Sequence, residues 1–182
     1  MNFSRIGKHG FTLVEILVVV SIIGLLAGLT IPAVGGALAS ARKAKVTAMA
    51  HQIRTAITQF NTEYGYYPSN GMTAGVGTTG SSLALVLTGA ASATNDNPRQ
   101  IVFLEVPNDF TTNAAGNLTN GGILTPKGFY SKGQSNLSVA VDHDYNGTVT
   151  VTNGTTTTNL QAGVAVWFVD PKDSKKTVGT WK

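Results

Sequence analysis

One acidic side chain, Glu15, stands alone inside a long apolar run near the start of the sequence. Residues 11–31 number 21, and Glu15 is the only charged side chain among them. Placing a carboxylate in such a run inside a bilayer costs about 2–4 kcal/mol unless a cation pairs with it. Glu15 therefore predicts a cationic partner and is the first candidate functional residue.

A second candidate lies in the loop Asp142-His143-Asp144-Tyr145-Asn146-Gly147. Alternating oxygen-bearing side chains ahead of a glycine match the opening half of a calcium-binding loop, which predicts a calcium site at Asp142, Asp144 and Asn146. The twelfth loop position is Asn153 rather than a bidentate glutamate. The alternative is a tight turn, because Asp, Asn and Gly all tolerate turn geometry. No other cofactor is expected.

The remaining side chains offer little for catalysis. There is no cysteine, and His51 and His143 are the only histidines beyond residue 10. Neither a Gly-x-Ser-x-Gly nucleophile turn nor a phosphate-binding glycine loop is present. The 13 basic and nine acidic side chains give a net charge of +4, but the basic ones are scattered along the sequence. We therefore expect neither an enzyme nor a nucleic-acid binder.

A single long helix is predicted to carry Glu15. A helix of 21 residues spans roughly 30 Å, enough to cross a bilayer, and Arg5 and Lys8 favour a cytoplasmic amino terminus. Pro32 lacks an N–H and is expected to kink or loosen residues 28–32. Apolar residues then recur every three or four positions, which extends the helix from about Phe11 to Tyr64, with Gly65 as its C-cap. This core stripe comprises Val46, Met49, Ile53, Ile57, Phe60 and Tyr64.

The rest of the chain predicts short elements separated by turns. Its composition, rich in Gly, Thr, Asn and Ser, is typical of short strands facing an external medium. The pattern predicts a short helix at 82–87, a turn at 95–98, and loops at 69–81 and 108–122. Strands are expected at 137–141, 148–152 and 164–169. The first two should form a hairpin about Asn146-Gly147, and 172–182 should be a polar tail.

The sequence Gly10-Phe11-Thr12-Leu13-Val14-Glu15, behind a short basic leader, resembles the processing site of type IV prepilins and type II secretion pseudopilins. The resemblance implies that a prepilin peptidase cuts between Gly10 and Phe11 and that Phe11 is then N-methylated. Tyr64-Gly65-Tyr66-Tyr67-Pro68 resembles the turn after the long helix of major pseudopilins. Many type IV pilins carry a carboxy-terminal cysteine pair, so its absence also favours a pseudopilus-like branch.

The resemblance implies an α+β, pilin-like fold, in which the long helix packs on a small antiparallel sheet. We expect a cytoplasmic leader at 1–10, a transmembrane half-helix at 11–31, an amphipathic half at 32–64, and a globular head at 65–182. The chain would lie in the bacterial inner membrane, with its head in the periplasm or outside. Its expected partners are prepilin peptidase, an inner-membrane assembly platform, copies of itself, and other pilins or pseudopilins.

Two questions stay open at this stage. Glu15 could pair with the new Phe11 amine within one helix, at i,i+4 spacing, or with the Phe11 amine of a neighbouring subunit, as the resemblance implies. The helix about Pro32 could be a tolerated kink or could melt during filament assembly. A different function is also possible: a secreted β-rich binding domain released by signal peptidase near Ala39.

Overall fold

A computed structural model describes residues 10–90, 96–111, 118, 121–153 and 156–181. Its dominant element is helix α1, Leu13–Tyr64. The chain divides into two compact units, Met1–Ala41 and Arg42–Lys182. The long helix predicted from the sequence is therefore confirmed, although it begins two residues after Phe11.

The second unit buries the core stripe of α1. Val46, Met49, Ile53, Ile57 and Phe60 are at most 2% exposed, while Tyr64 is half-buried. Gly65 ends the helix with a positive φ of 77°, and its N–H donates to the Asn61 carbonyl at 2.8 Å. A left-handed backbone suits glycine because it has no Cβ, so the predicted C-cap is confirmed.

The strands of the second unit form a five-stranded antiparallel sheet with the order β1-β2-β3-β6-β7. A separate antiparallel pair joins β4 to β5. The strand bounds are β1 Met72–Thr73, β2 Val76–Thr78, β3 Ser138–Val141, β4 Thr148–Asn153, β5 Thr156–Gln161, β6 Val164–Asp170 and β7 Asp173–Gly179. Helix α2 covers Ser81–Leu87, and a 3₁₀ helix covers Asn108–Phe110. These elements confirm the predicted α+β class.

Strand β6 explains how the sheet is covered on both faces. Its alternate residues Val164, Val166 and Phe168 join the core built on the α1 stripe and α2. Between them, Ala165 and Trp167 join a second core with Val149 and Val151 of β4. Because successive side chains of a strand point to opposite faces, a continuous apolar run such as 164–169 is typical of a strand buried on both sides.

The predicted hairpin between residues 137–141 and 148–152 is wrong. Strand β3 pairs with β2 and with β6, where Val139 lies opposite Val166. Strand β4 pairs with β5 instead, from Thr148 opposite Gln161 to Asn153 opposite Thr156. The turn at Asn146-Gly147 therefore leads the chain out of one sheet and into the other.

Two segments that the sequence predicts to be irregular contain strands. The predicted loop at 69–81 holds β1 and β2, and the predicted polar tail at 172–182 holds β7. Strand β7 lies at the sheet edge and is exposed over its first four residues, so its sequence has no apolar alternation. Strands of two or three residues are too short to produce a periodic pattern.

Candidate functional site

The first turn of α1 is closed by a reciprocal contact between Thr12 and Glu15. The Thr12 backbone N–H and hydroxyl both donate to Glu15 Oε2, at 2.8 and 2.7 Å. In return, the Glu15 N–H donates to Thr12 Oγ1 at 3.3 Å. This arrangement is a capping box, with Thr12 as N-cap and Glu15 three residues later. Glu15 therefore has a partner that the sequence reasoning missed, although the Thr-x-x-Glu spacing was the available signal.

The capping box uses only one side of the Glu15 carboxylate. Both hydrogen bonds end on Oε2, and within the described residues Oε1 accepts none. The side chain is exposed, as are the apolar side chains around it. The arrangement therefore holds the carboxylate in one orientation and leaves its second oxygen open to a donor from outside the chain.

Gly10 and Phe11 lie ahead of the helix in irregular backbone. Phe11 is 80% exposed, and a Cβ added at Gly10 would meet no atom within 4 Å. Exposed, non-helical backbone of this kind is where proteases gain access. Phe11 also precedes the N-cap, so the helical i,i+4 spacing assumed for a Phe11–Glu15 pair within one chain does not apply. The leader residues 1–9 lie outside the described part.

Within the described part of the chain, no other element covers the large side chains of the apolar segment, residues 13–31. From Leu13 to Ile31 they are between 48% and 80% exposed. Within the described residues, α1 is the one helix long and apolar enough to cross a membrane by length and composition. An apolar surface continuous around a helix needs either lipid or other helices to cover it.

The hydroxyl side chains within this segment bond to their own helix. Ser21 donates to the Leu17 carbonyl at 2.8 Å, and Thr30 donates to the Ala27 carbonyl at 3.2 Å. Such internal bonds satisfy hydroxyl groups where no water is available. Glu15 is therefore the one side chain of the segment that carries charge, and Oε1 is the acceptor that the segment leaves open.

The structure places Pro32 in the interior of α1, which is assigned as helix on both sides of it. Cβ atoms added at Gly24, Gly28, Gly35 or Gly36 would meet nothing within 4 Å. These glycines are therefore not required by packing within the isolated chain. The expected role of Pro32 in assembly stays a prediction.

The loop after β3 brings the three predicted calcium ligands into one turn. Asp142 is buried, and its two oxygens accept the N–H groups of Asn146 and Gly147 at 2.9 and 2.8 Å. The Asn146 amide nitrogen donates to Asp144 at 2.7 Å. The turn is thus closed by its own hydrogen bonds, although each carboxylate oxygen keeps a second lone pair. Calcium binding here stays a prediction.

Asp96 and Asn97 are buried polar residues with hydrogen-bond partners in several elements. The sequence predicted only a turn at these positions. The Asn97 side chain accepts from the Tyr64 hydroxyl at 2.6 Å and donates to the carbonyls of Val86 and Ile101, both at 2.8 Å. Asp96 accepts the Asn70 N–H at 2.7 Å. These bonds tie the end of α1 to α2, which is a structural role. His51 and His143 are both exposed.

The matched family model is the prokaryotic N-terminal methylation motif, which covers residues 5–31. This interval contains Gly10, Phe11, the capping box and the apolar segment. The motif and the exposed apolar helix together fit a membrane-anchored pilin. No solved structure matches the chain.

The curated relatives are pilins and fimbrial proteins. A fimbrial protein of Neisseria meningitidis serogroup A is 30% identical over 62% of this chain and 59% of its own length. The type IV major pilin protein PilE1 of Neisseria gonorrhoeae is 33% identical over 38% of this chain and 42% of its own length. The fimbrial protein EcpC of Eikenella corrodens is 30% identical over 40% and 47%. The chain thus spans roughly half the length of these relatives. The chain thus carries the methylation motif and is similar, over part of its length, to type IV pilins and fimbrial proteins.

Proposed function

We propose that this protein is a structural subunit of a type IV pilus-like filament or a type II secretion pseudopilus. The subunit is stored in the bacterial inner membrane, with its amino terminus in the cytoplasm and its head on the other side. Prepilin peptidase cuts after Gly10, and Phe11 becomes N-methylated. The subunit then enters a filament through its apolar helix, with the help of an assembly platform in the membrane.

One observation carries this proposal: a helix segment that is apolar on every side follows directly on an exposed processing motif. The described part of the chain leaves the large side chains of residues 13–31 exposed. In a bilayer they would face lipid, and in a filament they would face the same segment of other copies. A single surface that fits both environments is what a subunit needs if it is to move from membrane to filament.

The geometry at Glu15 supports pairing with a second copy. Cleavage after Gly10 would create a cationic amine at Phe11 that the unprocessed chain does not have. Glu15 Oε1 is open, whereas Oε2 is held by Thr12. A unit charge pair at about 4 Å is worth roughly 4 kcal/mol near a protein surface. Pairing of Glu15 with the Phe11 amine of a neighbouring subunit would therefore make assembly depend on processing.

Two observations bear on which filament is formed. The Tyr64–Pro68 turn and the absence of cysteine favour a pseudopilus. The names of the curated relatives, by contrast, are those of pilins and fimbrial proteins. Immunolabelling of whole cells separates the two, because a surface pilus extends beyond the outer membrane whereas a short pseudopilus does not.

The test of the proposal is the identity of the mature chain. The protein is expressed with a prepilin peptidase, and its intact mass, amino-terminal sequence and filaments are examined. We expect a chain that begins at methylated Phe11 and forms filaments. Gly10→Val should block cleavage without disturbing the fold, because a side chain there meets no atom. The matched control is Ser131→Val, which introduces the same side chain at an exposed position in a turn.

A mature chain that begins at Ser40 would overturn the proposal. It would support the alternative of a secreted domain released by signal peptidase near Ala39. The structure offers this alternative no exposed extended site, because residues 37–40 lie inside α1.

A further inference from the structure

A group of basic side chains converges on Asp170 in the second unit. Lys43, at the start of the part of α1 that belongs to this unit, pairs with the Asp170 carboxylate. Asp170 also accepts the Lys172 backbone N–H at 3.0 Å, and the charge of Lys176 acts on the same carboxylate. Asp170 is buried, and its carboxylate bonds to the Lys43 side chain and to the Lys172 backbone.

Three further basic side chains extend this group. The Arg42 guanidinium donates to the Gly128 carbonyl at 3.1 Å, and Lys127 is the residue before Gly128. Lys132 lines a surface depression together with Phe168 and Val169, immediately before Asp170. We call these side chains the basic patch: Arg42, Lys43, Lys127, Lys132, Lys172 and Lys176.

The basic patch carries more positive charge than its neighbouring carboxylates balance. Lys127, Lys132, Lys172 and Lys176 are exposed. The nearby carboxylates are Asp170, which is buried, and Asp173, which lies opposite Asp170 in the β6–β7 pair. Six cations against two anions make this face of the second unit strongly electropositive. Such a surface attracts a polyanion or a negatively charged interface.

We propose that the basic patch docks on the anionic phospholipid headgroups of the membrane that holds the apolar segment. This inference rests on the proposed membrane anchoring. Ten residues separate Ile31 from Arg42. Even a fully extended chain would therefore keep Arg42, the first residue of the patch, within about 40 Å of the end of the apolar segment. An interaction partner on such a short tether has a high effective concentration.

A second copy of the chain fits the patch less well. Elsewhere in the described part of the second unit, Glu63 is paired with Arg99. Asp96 and Asp142 are buried and accept backbone N–H groups. Asp109 is paired with Lys45, and Glu105 and Asp144 remain as exposed carboxylates. Two scattered carboxylates match six clustered cations poorly, whereas a phospholipid surface presents many negative charges at once.

The docking would act on the stored subunit. It would hold one face of the second unit against the membrane before assembly, and entry into a filament would have to break that contact. Since each cation near an anionic surface raises its binding roughly fivefold, a few lysines suffice for a measurable but reversible contact.

The test uses the full chain reconstituted in vesicles, and the absence of native cysteine allows a single fluorophore to be attached at an introduced one. Ser131→Cys places the fluorophore beside Lys132 in the basic patch. Thr62→Cys places it in the last turn of α1 as the matched control, and both positions are exposed. A quencher carried on the lipid headgroups reports how close each position lies to the membrane surface.

We expect quenching at position 131 to rise about twofold when roughly a third of the lipid is anionic phosphatidylglycerol rather than phosphatidylcholine. The rise should vanish at about 0.5 M sodium chloride, where the Debye length falls to about 4 Å. It should also vanish in the double variant Lys172→Gln/Lys176→Gln, but not in Arg99→Gln. Quenching at position 62 should be the same on both vesicles.

Equal quenching at position 131 on the two kinds of vesicle would overturn the inference. So would a signal that follows the density of protein rather than the fraction of anionic lipid, because the patch would then bind another copy. Flotation of the vesicles keeps this result separate from the proposed function. A chain that floats without the lipid-dependent signal is anchored but not docked, whereas a chain that fails to float contradicts the anchoring itself.

Discussion

Helix α1 contains two apolar regions that meet opposite environments. In the apolar segment, residues 13–31, the large side chains are 48–80% exposed. In the core stripe, Val46, Met49, Ile53, Ile57 and Phe60 are at most 2% exposed. Both regions use the same residue types on the same helix. The difference lies in arrangement, because the first is apolar on every side and the second on one side only.

The arrangement decides where each region can find a partner. A one-sided stripe can be covered by a sheet and a short helix of the same chain, and β3, β6 and α2 cover it here. A helix that is apolar all round cannot be enclosed by a single small domain and needs lipid or other helices. The core stripe thus packs inside the second unit, whereas the described part of the chain leaves the apolar segment exposed.

The largest effect is expected from Glu15→Leu in the apolar segment. We expect the variant to insert and to be cleaved after Gly10, but to form no filaments, because the neighbouring Phe11 amine loses its partner. Intact mass reports cleavage, and electron microscopy reports filaments. The matched control is Glu105→Leu, which removes an exposed carboxylate of the second unit. Normal filaments from Glu15→Leu would show that the apolar surface alone drives assembly.

A matched pair of isoleucines tests the core stripe directly. Ile57 is fully buried, and Ile22 is 53% exposed. Ile57→Ala should lower the free energy of unfolding by about 2–5 kcal/mol, because it removes buried methyl groups and leaves a cavity. Ile22→Ala should change it by less than about 0.5 kcal/mol in detergent. Denaturant unfolding of the full chain measures both, and similar losses would contradict the division between the two regions.

The Lys43–Asp170 pair is a charged contact at the edge of the core stripe. The pKa of Asp170 is lowered, first by the hydrogen bond from Lys43 and then by the Lys172 N–H. The stabilisation is therefore present above the unfolded-state pKa of about 4 and lost as the pH falls through the lower folded-state pKa.

Asp170→Asn should lower the free energy of unfolding by about 1–3 kcal/mol at neutral pH, since the Lys43 ammonium loses a charged acceptor but stays partly hydrated. The variant should also flatten the fall in stability below about pH 4. Unfolding curves measured across that range test both points. Asp173→Asn, at an exposed position, serves as the control, and an unchanged acid profile in Asp170→Asn would count against the pairing.

The smallest expected effect concerns the loop at Asp142. If the predicted calcium site forms, excess calcium should raise the melting temperature of the second unit by roughly 2–4 °C, because binding to the folded state adds to its stability. Asp144→Asn should remove the shift, whereas Asp173→Asn should preserve it. A melting temperature of the second unit that changes with neither calcium nor chelator would contradict the site.

Periodic apolar patterns predicted the buried helix face and the central strand correctly, whereas the predicted strand pairing was wrong. The core stripe and the strand 164–169 were both predictable, because burial of one or both faces requires a particular order of apolar residues. The partner of β3 was not predictable, because the Asn146-Gly147 turn signal is local and does not state which strand follows it in space. Strand β7 was missed because an edge strand has one solvated side and carries lysines.

At the functional segment, the sequence predicted the motif and the structure supplied the geometry. Residue types alone singled out Gly10, Phe11 and Glu15. The orientation of the Glu15 carboxylate depends on where α1 begins, and the bonds from Thr12 define that point. The basic patch was not predictable either, because its members are separated by up to 134 positions in the sequence.

The sequence by itself determined the long helix, its two apolar regions and the methylation motif, because each depends on residues close together along the chain. The tertiary structure alone decided the strand order, the covering of both sheet faces and the cluster of cations about Asp170. These features depend on which distant residues meet, and only the packing of the whole second unit settles that.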